Sequence, residues 1–231
     1  RKLVAFCVLK KELNRKNKVN MKNRSPLTIT ISLAILAATS LPIVAQQSKR
    51  FPTENQLQQL MNQFRNFVAS PPEGSRGFYL RDTRNAAQSQ NLIAFVRAWL
   101  PVNPDVVPFL GQWTALEETM NIYPSTIKGQ VCVIETFIPP NDGIGISFAK
   151  GTISGKHIRT SERTILVQQG NYLGVAFINT SNDRPGIYEY AWPNPLTNLG
   201  QLMRGIPQVD RNRFLQQFKE AGCTESLPKQ R

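Results

Sequence analysis

The spacing of apolar residues changes at Trp113 from a helical period near 3.6 to a strand period of 2, and this constrains the fold more than any other feature. The period predicts strands over 113–122, 130–138, 143–150, 152–160, 163–169, 172–180 and 186–192. Turn chemistry separates several of them. Pro140-Asn141-Asp142-Gly143 makes a sharp turn, Gly170-Asn171 suits a two-residue hairpin, and Asn182 to Gly186 suits a longer one. In 143–150, Ile144, Ile146 and Phe148 alternate with Gly145, Ser147 and Ala149, so one side faces a core. Gly151 breaks the phase before Ile153 and predicts a bulge or strand bend. Short strands joined by tight turns favour an antiparallel meander of about 6–7 strands, curled into a barrel or half-barrel.

Helical patterns flank this β body, which makes the fold class α+β. Thr53-Glu54-Asn55-Gln56 matches a capping box, and Leu57, Leu60, Met61, Phe64, Phe67 and Val68 follow on one stripe. A second helix, about 86–100, carries Leu92, Ile93, Val96, Trp99 and Leu100 on one face and ends at Pro101. Between them, 70–84 is turn-rich and presents Arg76, Arg81 and Arg84 as a solvated loop. Three prolines make 101–109 an extended connector between the helical front (53–100) and the β body (110–193). C-terminal helices are expected within 196–222: a short one after Pro195, and a second capped by Asp210 and stopped by Gly222.

The formal net charge of +13 suggests a nucleic-acid binder only until its distribution is read. Residues 1–45 hold nine basic residues and one acidic, leaving 19 against 14 for residues 46–231. That remainder forms no long basic run interleaved with aromatics, so no nucleic-acid partner is expected. In residues 21–45, Lys22 and Arg24 precede an apolar stretch from Leu27 to Ala38. Ile43-Val44-Ala45 then offers small and β-branched residues for cleavage before Gln46, which reads as a signal peptide. The alternative is an uncleaved anchor, weakened by the hydroxyls at Thr28, Thr30, Ser32, Thr39 and Ser40. Residues 1–20 precede Met21 and read as upstream sequence outside the fold, with a basic arm as the other reading. The mature domain is then 46–231, exported to a periplasmic or extracellular space, monomeric and without a further membrane span. In that space Cys132 and Cys223 are expected to form a disulfide, which would stabilise the fold by ~4 kcal/mol.

Gly111-Gln112-Trp113, opening the first strand, resembles the Gly-x-Trp signature of lipocalins and related calycin barrels. The resemblance implies that Trp113 closes the barrel floor, under a late arginine, with a C-terminal helix after the meander. The strand at 186–192 has no arginine of its own, so Arg184 or Arg204 would have to stand in. The Asn/Gln-rich texture with this leader also resembles small exported proteins of cyanobacteria, a likeness that implies no activity.

Candidate site residues are few. Tyr188, Tyr190 and Trp192 sit at alternate positions, so a strand places all three rings on one face, either stacked against a ligand or packed into the core. With Trp113 they are the candidate ligand contacts. Glu117 and Glu135 are strand acids that can share one face, as a glycoside hydrolase needs two carboxylates ~5 Å or ~6.5–9.5 Å apart; solvated surface acids are the other reading. Lys156, His157 and Arg159 form a basic cluster able to hold a carboxylate or phosphate. No phosphate loop, dinucleotide fingerprint, CxxC or HExxH motif occurs, and no cofactor or metal is expected. The leading expectation is a non-enzymatic exported protein that binds a small apolar or glycan ligand, or serves the cell envelope. An envelope glycan hydrolase and a scaffold docking a partner through the Leu57–Phe64 stripe are the alternatives.

Overall fold

The structure, a computed structural model, describes residues 50–71, 79, 81–138, 145–204 and 206–228. The leader, residues 1–20 and the turn at Pro140–Gly143 lie outside the described residues.

Eight strands form a closed, wholly antiparallel barrel in which each strand pairs with its sequence neighbours. They are β1 (Gly111–Ala115), β2 (Glu118–Pro124), β3 (Gln130–Phe137), β4 (Gly145–Ser154), β5 (His157–Thr160), β6 (Ile165–Gln169), β7 (Tyr172–Ile178) and β8 (Pro185–Asn194). The expectation of 6–7 strands falls short because 113–122 is two strands. Ala115 pairs with Glu118 across a two-residue turn, Leu116-Glu117, with Glu117 at φ 65°. Nothing in that dipeptide advertises a turn, since a left-handed conformation ordinarily selects Gly, Asn or Asp.

β1 and β8 close the barrel with a register shift. Gln112 pairs with Asn194 and Thr114 with Ala191, which leaves one extra residue on β8. Trp192 lies in that bulge at φ 50°. At the same seam Gly111 has φ 127°, and a Cβ there would lie 2.9 Å from the Asn194 carbonyl oxygen, so only glycine fits. Gly151 makes no bulge. β4 keeps register with β3 from Gly145 to Thr152, and Gly151 faces inward, where a Cβ would meet Ile158 and Val131 at 2.5 and 2.7 Å.

Alternation along each strand divides the barrel wall into an inner and an outer face. Inward, Trp113, Met120, Ile122, Val131, Val133, Ile158, Leu166, Leu173 and Tyr190 share one core. One end of this core is plugged by the chain that precedes β1. Trp99, Val106, Val107, Phe109 and Leu110 pack into it, with Val107–Phe109 forming a 3-10 turn. The stretch 101–109 is therefore part of the core and not an extended connector, because its prolines alternate with apolar side chains that seek burial.

Helices cover the outer face. α1 (Glu54–Ala69) has the expected capping box: Gln56 N donates to Thr53 Oγ1 at 3.3 Å and Thr53 N to Gln56 Oε1 at 3.0 Å. Its stripe, Leu57, Leu60 and Phe64, packs on Ile165, Val167 and Ala176 of β6 and β7. Docking a partner through Leu57–Phe64 would need that same stripe, which the barrel wall already covers. α2 (Ala86–Trp99) buries Leu92 and Trp99 but leaves Ile93 half exposed. After β8 come α3 (Leu199–Leu202) and α4 (Gln208–Glu220). Pro207, not Asp210, occupies the N-cap of α4, and Asp210 lies in the first turn, ion-paired to Arg213 at 2.9 Å.

Phe214, Phe218 and Ala221 seat the C-terminal helix on Tyr123, Cys132 and Ile134, with Ile146 and Phe148 beside them. The expected core side of Ile146 and Phe148 is thus the helix-covered exterior, while Gly145, Ser147 and Ala149 line the barrel. The Cys132–Cys223 disulfide fastens this layer, joining residues 91 apart in sequence with 6.1 Å between their Cα atoms. Gly222 (φ 65°) ends the helical region, and Thr126 N donates to its carbonyl at 2.8 Å. Among the described residues no helix is long and apolar enough to cross a membrane.

Candidate functional site

The interior is graded along the barrel axis. Towards the plugged end, Trp113, Ile122, Val131, Ile158, Leu166 and Leu173 are at most 1% exposed. Towards the other end, the inner positions are Glu118, Glu135, Phe137, Ser147, Val175, Phe177 and Tyr188, all half-buried. Glycines on β4 and β8 make room there: the Phe137 ring lies across Gly145, and the Phe177 ring lies across Gly186.

Tyr190 organises the polar groups. Its Oη lies 2.7 Å from Glu135 Oε1 and 3.3 Å from Glu118 Oε2. A residue on β8 reaches β3 only through the barrel interior, because β1 and β2 lie between them. A phenol has one proton and gives it to the nearer acceptor, Glu135, which also accepts from Ser147 Oγ at 3.3 Å. The Glu118 carboxyl is pushed up to about 7 by burial and then by the negative charge of Glu135, against the opposing pull of the Tyr190 and Tyr188 hydroxyls. Protonated, it donates to Tyr190 Oη and completes a chain from Glu118 through Tyr190 to Glu135. Burial and both carboxylates push the Tyr190 phenol well above its ordinary range. Tyr188 packs edge-on against Tyr190, ring centroids 5.3 Å apart. Its hydroxyl oxygen is shielded from solvent and faces the Glu118 carboxyl without a hydrogen bond of good geometry. Neither Glu118 nor Glu135 forms an ion pair with a described residue.

The carboxylate expected beside Glu135 was Glu117. It is instead exposed in the β1–β2 turn, and Glu118 faces inward. The error is one residue, and it follows from the hidden turn: continuing a strand through Leu116-Glu117 inverts the assigned faces. Had the pairing of Ala115 with Glu118 been recognised, alternation through Met120 and Ile122 would have pointed to Glu118.

Of the four expected ligand contacts, Tyr188 and Tyr190 meet inside the barrel. Trp113 sits at the plugged end, where its Nε1 donates to the Phe109 carbonyl at 2.7 Å. Trp192 does not share a face with the two tyrosines, because the bulge turns it outward. There its Nε1 donates to the Tyr79 carbonyl at 2.9 Å, its ring lies 6.1 Å from that of Tyr172, and the Arg84 guanidinium stands over it at 5.7 Å. Arg84 is correspondingly not a solvated loop residue: it pairs with Asp82 at 2.7 Å and donates to the Pro193 carbonyl at 2.8 Å.

In the basic cluster, Lys156 is exposed in the β4–β5 turn. Arg159 stacks on Phe51 at 5.1 Å, and Arg163 shares that ring at 5.3 Å. Burial, and to a smaller extent the Arg159 charge, lower the His157 pKa against the opposing pull of Glu54. His157 is therefore neutral near pH 7 and brings no charge to an anion. Arg184 lies in the β7–β8 loop at the far end from Trp113, and Arg204 is exposed beyond α3, so neither is placed as the late arginine of the calycin pattern. No group of three or more residues able to hold a metal occurs among the described residues. No family model, no curated protein and no solved structure matches the chain.

Proposed function

We propose that the chain is an exported, non-enzymatic binding protein that takes a small ligand into the half-buried end of its barrel. The observation carrying this reading is the graded interior: a sealed apolar floor beneath a layer of Glu118, Glu135, Tyr188 and Tyr190 whose polar groups lack a full set of partners. A barrel of eight strands holds a core or one small ligand, and unpaired polar groups in a concave aromatic setting are what a ligand satisfies. Leu116 and Ile138, 53% and 60% exposed at this end, give the rim an apolar lip. The floor tryptophan and the helix after the meander support kinship of architecture with lipocalin-like barrels. Export is supported by the leader-like segment 21–45 and by a disulfide, which belongs to oxidising compartments.

The test is native mass spectrometry of the protein purified from its own cells. A bound small molecule, released on denaturation and absent from a Glu135→Gln, Tyr190→Phe variant, is the expected result. A mass equal to the bare disulfide-bonded chain, with no change in melting temperature across lipid and oligosaccharide libraries, would count against it.

One observation favours the hydrolase reading: a carboxyl near pH 7 beside a second whose nearest oxygen is no more than about 6 Å away. In that reading Glu118 is the acid and Glu135 the nucleophile. Turnover of chromogenic glycosides that Glu118→Gln abolishes would favour it; turnover unaffected by that change would remove it.

A further inference from the structure

Exposed apolar side chains are ordinary when scattered singly. At the plugged end of the barrel they are gathered. Leu100 and Val102 follow α2, Ile127 stands in the β2–β3 turn, and Leu227 lies in the segment after α4, each between 45% and 61% exposed. Hydrogen bonds stitch these three segments to one another. Gly129 N donates to Asn103 Oδ1 at 3.1 Å, Thr126 N to the Gly222 carbonyl at 2.8 Å, and Trp99 Nε1 to the Ser226 carbonyl at 3.3 Å. Trp99, Asn103 and Ser125 from the same segments are at most 1% exposed, so the chain turns some residues inward here and sets these four out. Ile127 opens the turn that Gln130 N closes on its carbonyl at 3.1 Å, a place ordinarily given to Asp, Asn or Ser.

Cations surround the patch. Arg97 lies one helical turn before Leu100, and Lys128 follows Ile127. Lys156 tips the β4–β5 hairpin, which Ile153 N ties to the Gly129 carbonyl at 2.8 Å. These three are exposed and form no ion pair with a described residue. Lys229 and Arg231 follow Leu227 in the sequence. The acids at this end are Asp105 and Glu225, and the Glu225 carboxylate is taken by Asn198 Nδ2 at 3.1 Å and Leu199 N at 2.7 Å. Lys219 and Glu220, closing α4, offset each other.

Independently of what the other end takes in, we propose that the plugged end docks the protein on an anionic lipid surface. Leu100, Val102, Ile127 and Leu227 enter the headgroup region, and Arg97, Lys128 and Lys156 meet the lipid phosphates. An apolar patch ringed by bases matches an anionic bilayer on both counts, since area buried and charge attraction add. A second copy matches less well, because a two-fold contact through this patch would set the same cations against their own symmetry mates. The half-buried end, opposite along the barrel axis, is left facing solvent.

The experiment is flotation of residues 46–231, disulfide intact, with vesicles of equal parts phosphatidylglycerol and phosphatidylcholine and with vesicles of phosphatidylcholine alone. Binding to the anionic vesicles should be about tenfold or more tighter than to the neutral ones. Ile127→Ser with Leu227→Ser should weaken it about tenfold or more, and Lys128→Gln about fivefold. Leu215→Ser, at an exposed apolar position on α4 outside the patch, should leave it unchanged. All four positions are exposed, so the variants keep the fold, which circular dichroism checks. Flotation that ~0.5 M salt abolishes and the serine pair leaves unchanged would reveal adsorption by net charge alone and overturn the proposal. Equal binding to both kinds of vesicle would overturn the anionic surface. Failure to float would overturn the docking itself, and a dimer in sedimentation velocity that Ile127→Ser dissociates would then give the patch to a second copy.

Discussion

The two halves of the barrel interior share strands, registers and neighbours, yet they solve different problems. Around Trp113 the inward residues are mainly apolar and sealed, and the preceding segment from Trp99 to Leu110 fills the end. A few residues further along the same strands, inward positions carry two carboxyls, a phenol and a serine half open to solvent, around the buried Tyr190. A chain selected for stability alone would continue the apolar layers, because buried charges without partners cost free energy. The sealed half thus supplies the packing that stabilises the fold, and the half-open one carries the polar groups of the proposed site.

The largest expected effect lies outside both halves and checks that they respond together. Replacing Cys132 and Cys223 by alanine should lower stability by ~4 kcal/mol in urea denaturation, with the Glu118 titration unchanged. A shifted titration would mean that the C-terminal layer shapes the site. Next, Trp113→Ala should cost ~3–5 kcal/mol by opening a cavity in the sealed half. A cost below ~1 kcal/mol would show that the floor is not close-packed.

The half-open half should respond to pH. The Glu118 pKa is raised in the folded state, from an ordinary 4.5 to about 7, so the native protein holds its proton more tightly. Its contribution to stability is complete below about pH 4.5 and is lost as pH rises through about 7. Allowing for solvent screening at a half-exposed site, the loss is ~1–2 kcal/mol. Denaturation of the protein and of Glu118→Gln across this window should show the slope in the first and its absence in the second. Smallest of all, Tyr188→Phe should change stability by less than ~1 kcal/mol, or raise it, since it deletes a shielded hydroxyl that makes no hydrogen bond of good geometry. A loss well above that would reveal a partner and weaken the contrast between the halves.

Much of the barrel was legible in the sequence because alternation and turn residues agreed. Gly170 at φ 59° makes the two-residue hairpin that Gly170-Asn171 announces, and the Thr53 capping box starts α1 where expected. The site was less legible, for two local reasons. Glu117 and Trp192 both adopt left-handed backbone that their side chains give no sign of preferring. The first hides a hairpin, so Glu118 was passed over for its neighbour. The second hides a bulge, so three rings at alternate positions seemed to share a face that only Tyr188 and Tyr190 share. Closure by β1 and β8 imposes the bulge, and closure is a long-range property that a period of 2 does not encode.

The contrast between the halves rests on a carboxyl held inside the barrel against a second one, and a carboxyl-resolved NMR titration of Glu118 measures this most directly. A midpoint near pH 7 that also moves the Tyr190 and Glu135 signals is the predicted result. A Glu118 midpoint in the ordinary carboxylate range, with no response at Tyr190, would contradict it.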